Sequence, residues 1–222
     1  MKKTTFLMGI IVGMAAVLIG LMMFTGCSVD SSDEAAAVPD YDALSASVVQ
    51  LKVYAEDGSL LHRGTGFCAE REDIIFTAAH VTEGMSYAVV ITDEGDTYRT
   101  ECMLMSDSSA DVAVLELPEE LRLTPLELSA ADGERGDDVF IIGSPGGMLN
   151  FITKGSVAGE IDSSGIRSLV VTAAVAEGSS GSPVFNDTGQ VIGMVNGQYI
   201  DAESFVQALS AEYINSLGRN SL

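Results

Sequence analysis

Three short segments contain the residues whose side chains could perform chemistry. The first, IIFTAAHV, places His80 in a small-residue turn after an apolar run, where an imidazole can reach the edge of a barrel. The second, ADVAVLEL, places Asp111 directly before an apolar strand, so that its carboxylate can be partly buried. The third, AEGSSGSPVF, places Ser180 in a tight glycine-flanked turn that leaves the backbone N–H groups of Gly178 and Ser180 free. Together they supply a base, a carboxylate and a nucleophile.

These residue types fit nucleophilic hydrolysis of an acyl bond. A serine hydroxyl is a weak nucleophile at neutral pH and needs a base, and the base needs a carboxylate to hold its tautomer. We therefore predict Ser180 as nucleophile, His80 as general base and Asp111 as the group that orients it. The N–H groups of Gly178 and Ser180 would form an oxyanion hole, each worth on the order of 3 kcal/mol. Glycine at 178 allows the required backbone angles.

The rest of the chain is predicted to be almost entirely β-structure. Short apolar runs are separated by Gly, Asp and Ser turns, and they fall into two groups on either side of a Pro- and acid-rich link, 118–138. The predicted strands are 48–54, 64–68, 74–76, 87–92, 112–117, 139–142, 155–158, 169–172, 183–185 and 191–195. Two such groups predict two β-barrels. Ser210 can cap a short final helix, 210–217.

Over residues 45–217 the chain resembles the trypsin-like serine peptidase superfamily, in the order His, Asp, Ser. The segments GTGF (64–67), DVAVL, GSP (143–145) and KGSV (154–157) are similar to bacterial Deg/HtrA peptidase domains. GSPVFN (181–186) instead resembles the glutamyl-specific group. The resemblance implies an all-β, two-barrel chymotrypsin-like domain at 43–218, with barrels at about 45–118 and 136–217 and a short C-terminal helix. It implies no cofactor and no metal.

Two departures from the resemblance affect regulation. Ser179 stands where zymogen-type relatives carry the Asp that pairs with a new amino terminus, so we expect the chain to be competent once folded. No PDZ-like segment is expected after Leu217. An oligomer is therefore conceivable through the peptidase domain alone, but nothing in the sequence indicates one.

The resemblance also positions the pocket for the residue before the scissile bond. Its base would be Ala174, and its walls would be Val175, Val195, Asn196, Gly197 and Gln198. A buried cation would lack a counter-charge there, and a buried Glu would lack partners. We therefore expect cleavage of proteins and peptides after small or medium aliphatic residues, with Glu177 at the rim.

The amino-terminal segment 1–27 predicts export. Lys2 and Lys3 precede the apolar run 6–24, as in a secretory signal. FTGC, ending at Cys27, resembles a lipoprotein box in which the cysteine is lipidated. An uncleaved membrane anchor and a plain signal with a chance cysteine are alternatives. Residues 28–42 are predicted to be a flexible acidic tether, which places the domain in the cell envelope outside the cytoplasm.

Composition excludes other classes. With 11 basic against 32 acidic residues the formal charge is -21, which disfavours nucleic acid as a partner, and Trp is absent. Three cysteines form neither a disulfide framework nor a zinc-ligand pattern. Cys68 and Cys102 could pair or remain free thiols. His62 is expected to be merely exposed, and Asp107 to cap a turn.

The sequence also leaves two alternative functions to consider. One is a trypsin-like surface binding module that has lost hydrolysis, although the residues of the predicted triad do not favour it. The other is a serine esterase of the α/β-hydrolase type, which would require a strand-Ser-helix elbow and the order Ser, Asp, His. That order is absent from this sequence.

Overall fold

The computed structural model describes residues 38–198 and 205–221, which contain thirteen strands, two α-helices and two 3-10 turns. The first half comprises α1 (Tyr41–Ser45), β1 (Val48–Tyr54), β2 (Leu60–Cys68), β3 (Ile74–Thr77), β4 (Tyr87–Ile91), β5 (Thr97–Thr100), β6 (Met103–Asp107) and β7 (Val112–Glu116). The second half comprises β8 (Asp138–Gly143), β9 (Phe151–Ser163), β10 (Ile166–Thr172), β11 (Pro183–Phe185), β12 (Val191–Gln198), β13 (Val206–Ser210) and α2 (Ala211–Ser221). The 3-10 turns are Ala79–Thr82 and Pro145–Gly147.

The strands form two sheets, one from each half of the chain. The first is seven-stranded in the order β5-β4-β1-β2-β3-β7-β6, and the second is a closed barrel of β8 to β13. All the strand pairs within them are antiparallel. The predicted all-β, two-barrel fold with a short C-terminal helix is confirmed, with the first barrel present as an open sheet.

Alternation along the strands creates three apolar clusters. In β3, Ile75 points into the first sheet's own core, whereas Phe76 points into a cluster shared by the two halves. In β8, Ile141 enters the core of the second barrel, and Phe140 enters the shared cluster. Because side chains on a strand alternate between faces, one apolar strand can serve two cores. The shared cluster thus fixes the two sheets against each other.

The predicted link between the barrels is packed rather than free. Leu121, Leu123 and Leu126 are buried, and Leu126 and Leu128 make single bridges to Ala69 and Val191. The sequence prediction also missed β5 (TYRT), β6 (MLMSD) and β13 (VQALS), in which polar residues interrupt the apolar run. The final helix begins one residue later than predicted, and Ser210 Oγ accepts a hydrogen bond from the Tyr213 N–H group.

The predicted signal, the lipidation site Cys27 and most of the tether lie outside the described residues. Among residues 38–198 and 205–221, no helix has the length and hydropathy needed to cross a membrane.

Candidate active site

His80 lies in the 3-10 turn that follows β3. Ala79 and Val81 on either side are buried, whereas the His80 side chain is about half exposed, at 47%. Burial of these two apolar neighbours fixes the turn to the core, so the imidazole between them is held at the protein surface. Sequence reasoning predicted this presentation from the small residues before His80.

Asp111 is brought to His80 by strand pairing. β3 and β7 are antiparallel, with Thr77 opposite Ala113, so the end of β3 adjoins the start of β7. Asp111 Oδ2 lies 2.8 Å from His80 Nδ1, and Asp111 Oδ1 accepts the His80 backbone N–H at 2.9 Å. Asp111 adopts a φ of 54°, uncommon for a residue other than glycine. Both carboxylate oxygens therefore fix one histidine.

This contact changes the acidity of the imidazole. The hydrogen bond that the His80 ring donates to Asp111 raises the pKa of His80 above its usual value of 6.5. Partial burial opposes the rise, and the negative charges of Asp111 and then Glu83 add to it. A nearby carboxylate stabilises the imidazolium that forms when a base accepts a proton. The pair is therefore suited to general base chemistry.

Ser180 occupies a turn between β10 and β11 that is tied to both halves of the domain. Its carbonyl accepts the Thr65 N–H of β2 at 2.8 Å, and the next N–H, of Gly181, donates to Val195 of β12 at 2.7 Å. Gly178 and Gly181 have φ values of 97° and 86°, in the left-handed region that side chains disfavour. A Cβ at Gly181 would collide with the Thr65 carbonyl.

The same turn leaves two backbone donors available. Ser179 closes the turn by donating its N–H to the Ala176 carbonyl, and its Oγ accepts the Ala176 N–H. Within the described part of the chain, the N–H groups of Gly178 and Ser180 donate to no acceptor. Two unpaired N–H groups beside a serine hydroxyl can receive the oxygen of a tetrahedral intermediate.

His80 and Ser180 border one surface depression. Its other lining residues are Val175, Ala176, Glu177, Ser179, Val195, Asn196, Gly197 and Gln198. In the described residues no hydrogen bond joins Ser180 Oγ to His80. Hydrogen bonds between a catalytic base and its nucleophile often form fully only when substrate is bound. A separate depression around Tyr41, Phe140 and Lys154 contains none of the predicted site residues.

The structure brings together five of the six residues predicted for the specificity pocket. Ala174, predicted as the base, is exposed and does not line the depression, whereas its neighbour Val175 does. Asn196 also donates from Nδ2 to the Ala110 carbonyl at 3.3 Å, and its Oδ1 is buried with no partner in the described residues. The depression therefore combines valine side chains with two amides, those of Asn196 and Gln198.

Other candidate residues lie elsewhere. Asp107 caps a turn by accepting from Ser109 and also accepts the Tyr213 hydroxyl at 2.8 Å. His62 is partly exposed in β2. Cys68 and Cys102 are both free thiols, the first buried and the second exposed.

Sequence reasoning missed two groups that support the site. The Thr65 hydroxyl donates to the Gly178 carbonyl at 2.8 Å, and Gly146 donates its N–H to the Glu177 carbonyl at 2.7 Å. Thr65 lies in GTGF (64–67), and Gly146 directly follows GSP (143–145). Both motifs resemble Deg/HtrA segments, but the contacts of Thr65 and Gly146 with the Ser180 turn are made only in the folded chain.

Comparison with known proteins identifies similar chains. Residues 64–194 match the family model described as "Trypsin-like peptidase domain". Serine protease Rv3671c of Mycobacterium tuberculosis is 32% identical over 174 residues, which cover 73% of this chain and 43% of that protein. The crystal structure titled as its active form superposes with a TM-score of 0.74 at 28% identity, covering 84% of this chain and 86% of that one.

Two further proteins from other bacteria are also similar to this chain. A "Probable periplasmic serine endoprotease DegP-like" of Halomonas elongata is 32% identical over 152 residues, covering 66% of this chain and 31% of that protein. "Anti-sigma-I factor RsgI9" of Acetivibrio thermocellus is 25% identical over 177 residues, covering 79% of this chain and 25% of that protein. The chain thus spans between 25% and 43% of the length of these relatives.

Proposed function

Because the chain belongs to the family of trypsin-like peptidase domains, we propose that it is a serine endopeptidase that hydrolyses peptide bonds through an acyl-enzyme. One observation carries this proposal: Asp111 holds His80 by two hydrogen bonds at the edge of the depression that also contains Ser180. The relatives named as serine proteases support it.

The geometry suggests a sequence of proton transfers. His80 Nδ1–H donates to Asp111, so Nε2 is left unprotonated and accepts the proton of Ser180 Oγ as that oxygen attacks the substrate carbonyl carbon. The carbonyl oxygen becomes an oxyanion and accepts from the N–H groups of Gly178 and Ser180. His80 then gives the proton to the leaving amine, and water repeats the attack to release the acid and restore Ser180. No metal or cofactor enters these steps.

We propose a preference for small or medium aliphatic residues before the scissile bond. Val175 and Val195 supply apolar surface to the depression, and its lining includes no lysine or arginine that would pair with an acidic substrate residue. Glu177 at the rim carries the same charge as such a residue and repels it, modestly because water screens the interaction. Ala174, predicted as the base of the pocket, does not line this depression. The proposed aliphatic preference therefore depends on Val175 and Val195.

We further propose that the domain works outside the cytoplasm, tethered to a membrane through Cys27. The lysines and apolar run of the signal-like segment support export, and the DegP-like relative is named as periplasmic. Lipidation of Cys27 would hold the acidic domain close to the membrane surface. Its partners are then proteins or peptides in the envelope.

Labelling tests the catalytic proposal. The full chain should react with a fluorophosphonate, and peptide mapping should locate the adduct on Ser180. Ser180→Ala should abolish both labelling and peptidase activity without changing the melting temperature by more than a few degrees. Ser59→Ala, which removes another surface serine hydroxyl, one that donates to Asp57, is the matched control and should label normally. A chain that folds but never labels would support the inactive binding module instead.

A further inference from the structure

Thr65 of β2 contacts both residues whose N–H groups form the proposed oxyanion hole. Its backbone N–H donates to the Ser180 carbonyl at 2.8 Å, and its hydroxyl donates to the Gly178 carbonyl at 2.8 Å. The side chain is completely buried, and its oxygen also accepts the Ser144 N–H at 3.0 Å. Thr65 therefore links the nucleophile turn, the first sheet and the loop that follows β8.

The loop after β8 holds the other side of the same turn. The Gly146 N–H donates to the Glu177 carbonyl at 2.7 Å, while Gln50 of β1, itself buried, donates its side-chain amide to the Gly147 carbonyl at 2.9 Å. The Ser144 carbonyl lies 2.5 Å from where a Cβ of residue 178 would stand. Strands of the first sheet thus support a turn that belongs to the second barrel.

These contacts determine where the Gly178 N–H points. In a planar trans peptide the C=O and N–H groups point in opposite directions. Gly146 holds the Glu177 carbonyl on one side, so the Gly178 N–H of that peptide faces away from Gly146. Thr65 holds the carbonyl of the following peptide. Gly178 is a residue with unusual conformational freedom, and both peptides that flank it are fixed by hydrogen bonds.

We infer that Thr65 is a positioning residue for catalysis: its hydroxyl fixes the peptide that follows Gly178, and this restricts the rotation of Gly178 so that its own N–H, in the preceding peptide, stays aimed at the oxyanion. This inference rests on the proposed function. It assigns Thr65 a role in the transition state rather than in substrate binding, because the oxyanion hole receives charge that develops only as the tetrahedral intermediate forms.

Thr65→Val tests the inference, because it keeps the β-branched shape and removes the hydroxyl. We expect kcat for a peptide substrate to fall by about tenfold to 100-fold with KM within twofold, less than the 10²–10³ lost when a donor is removed outright. Thr65→Ser keeps the hydroxyl and should restore kcat to within about threefold of the unmodified chain. Both are compared in the full-length protein.

Thr100→Val is the matched structural control. The Thr100 hydroxyl is also buried, also donates to a backbone carbonyl, that of Glu116, and also accepts a backbone N–H, that of Cys102. It lies in β5, at the outer end of the first sheet. We expect Thr100→Val to lose stability as Thr65→Val does while its kcat stays unchanged.

A second readout reports directly on the oxyanion. A peptidyl trifluoromethyl ketone adds to the nucleophilic serine to give a hemiketal whose oxygen occupies the hole, and fluorine NMR follows its ionisation. Thr65→Val should raise the pKa of that hemiketal, because the oxyanion loses a well-aimed donor, whereas Thr100→Val should not. If Thr65→Val does not fold, Thr65→Ala is measured against Thr100→Ala in the same two assays.

The outcomes separate this inference from the proposed function. An unmodified chain that neither hydrolyses peptides nor labels at Ser180 overturns both. An active chain in which the folded Thr65→Val variant keeps its kcat and its hemiketal pKa overturns the inference alone. A loss of kcat that Thr65→Ser fails to restore, or that Thr100→Val shares, also overturns it.

Discussion

Replacing Asp111 by Asn should impair catalysis through the tautomer of His80. The Asp111 carboxylate accepts two hydrogen bonds, at 2.9 Å from the His80 backbone N–H and at 2.8 Å from the ring Nδ1. An asparagine has only one oxygen acceptor. If that oxygen accepts the backbone N–H, the amide NH₂ faces Nδ1, the ring proton moves to Nε2, and the imidazole cannot accept a proton from Ser180.

The expected loss of kcat can be estimated from the other orientation of the asparagine amide. Turning the amide over restores the useful tautomer but leaves the His80 backbone N–H facing a donor, at a cost of about 1–3 kcal/mol. That cost corresponds to roughly 5- to 160-fold in rate. Loss of the negative charge opposite the imidazolium adds to it, so we expect kcat to fall by about 10³- to 10⁴-fold.

Kinetics over a range of pH provide the assay. Activity requires neutral His80, so in the unmodified chain kcat/KM should rise with pH through a value above 6.5, because Asp111 raises the His80 pKa. In Asp111→Asn that limb should move to lower pH. A folded variant that keeps more than about a tenth of kcat at pH 8, or an unmoved limb, would refute this reasoning.

The stability of the folded protein should depend on pH through the protonation of His80. A raised folded-state pKa means that the His80 contribution is fully present below about pH 6.5 and is lost as pH rises through the folded value. Asp111→Asn should therefore lower the melting temperature more at pH 6 than at pH 9. Asp107→Asn is the matched control: its carboxylate accepts from Ser109 and Tyr213 and touches no catalytic group, so it should cost about 1 kcal/mol of stability while kcat persists.

Three further outcomes are expected. Mass spectrometry of the mature protein should find Cys27 as the first residue with a diacylglyceryl group, whereas an intact Met1 would favour the uncleaved anchor. A peptide library should be cut mainly after Val, Ala or Leu, with about fourfold discrimination per buried methylene, and dominant cutting after Arg, Lys or Glu would mean that the pocket is misplaced. A thiol reagent should modify exposed Cys102 in the native protein but reach Cys68, whose pKa burial raises to about 12, only on unfolding; equal reactivity of the two would contradict the structure.

The strand-rich fold and the residue types of the candidate site could be predicted from the amino-acid sequence alone. Short continuous apolar runs such as those around Ile75 and Ile141 indicate strands that are buried on both faces. The motifs around His80, Asp111 and Ser180 were legible because each requires a local backbone shape that only certain residues allow. The prediction of Asp107 as a turn cap rested on the same local logic, and the structure shows it capping that turn.

The contacts between residues far apart in the chain could not be predicted from the sequence. Thr65 and Gly178 are 113 residues apart, and their hydrogen bond exists because β2 packs beside the nucleophile turn. The exposure of Ala174, the separation of Cys68 from Cys102 and the burial of Leu121 in the linking segment likewise depend on how the two sheets pack. A short stretch of sequence indicates the backbone conformations its residues prefer and which of its side chains are apolar. Contacts between remote segments depend instead on the packing of the whole chain.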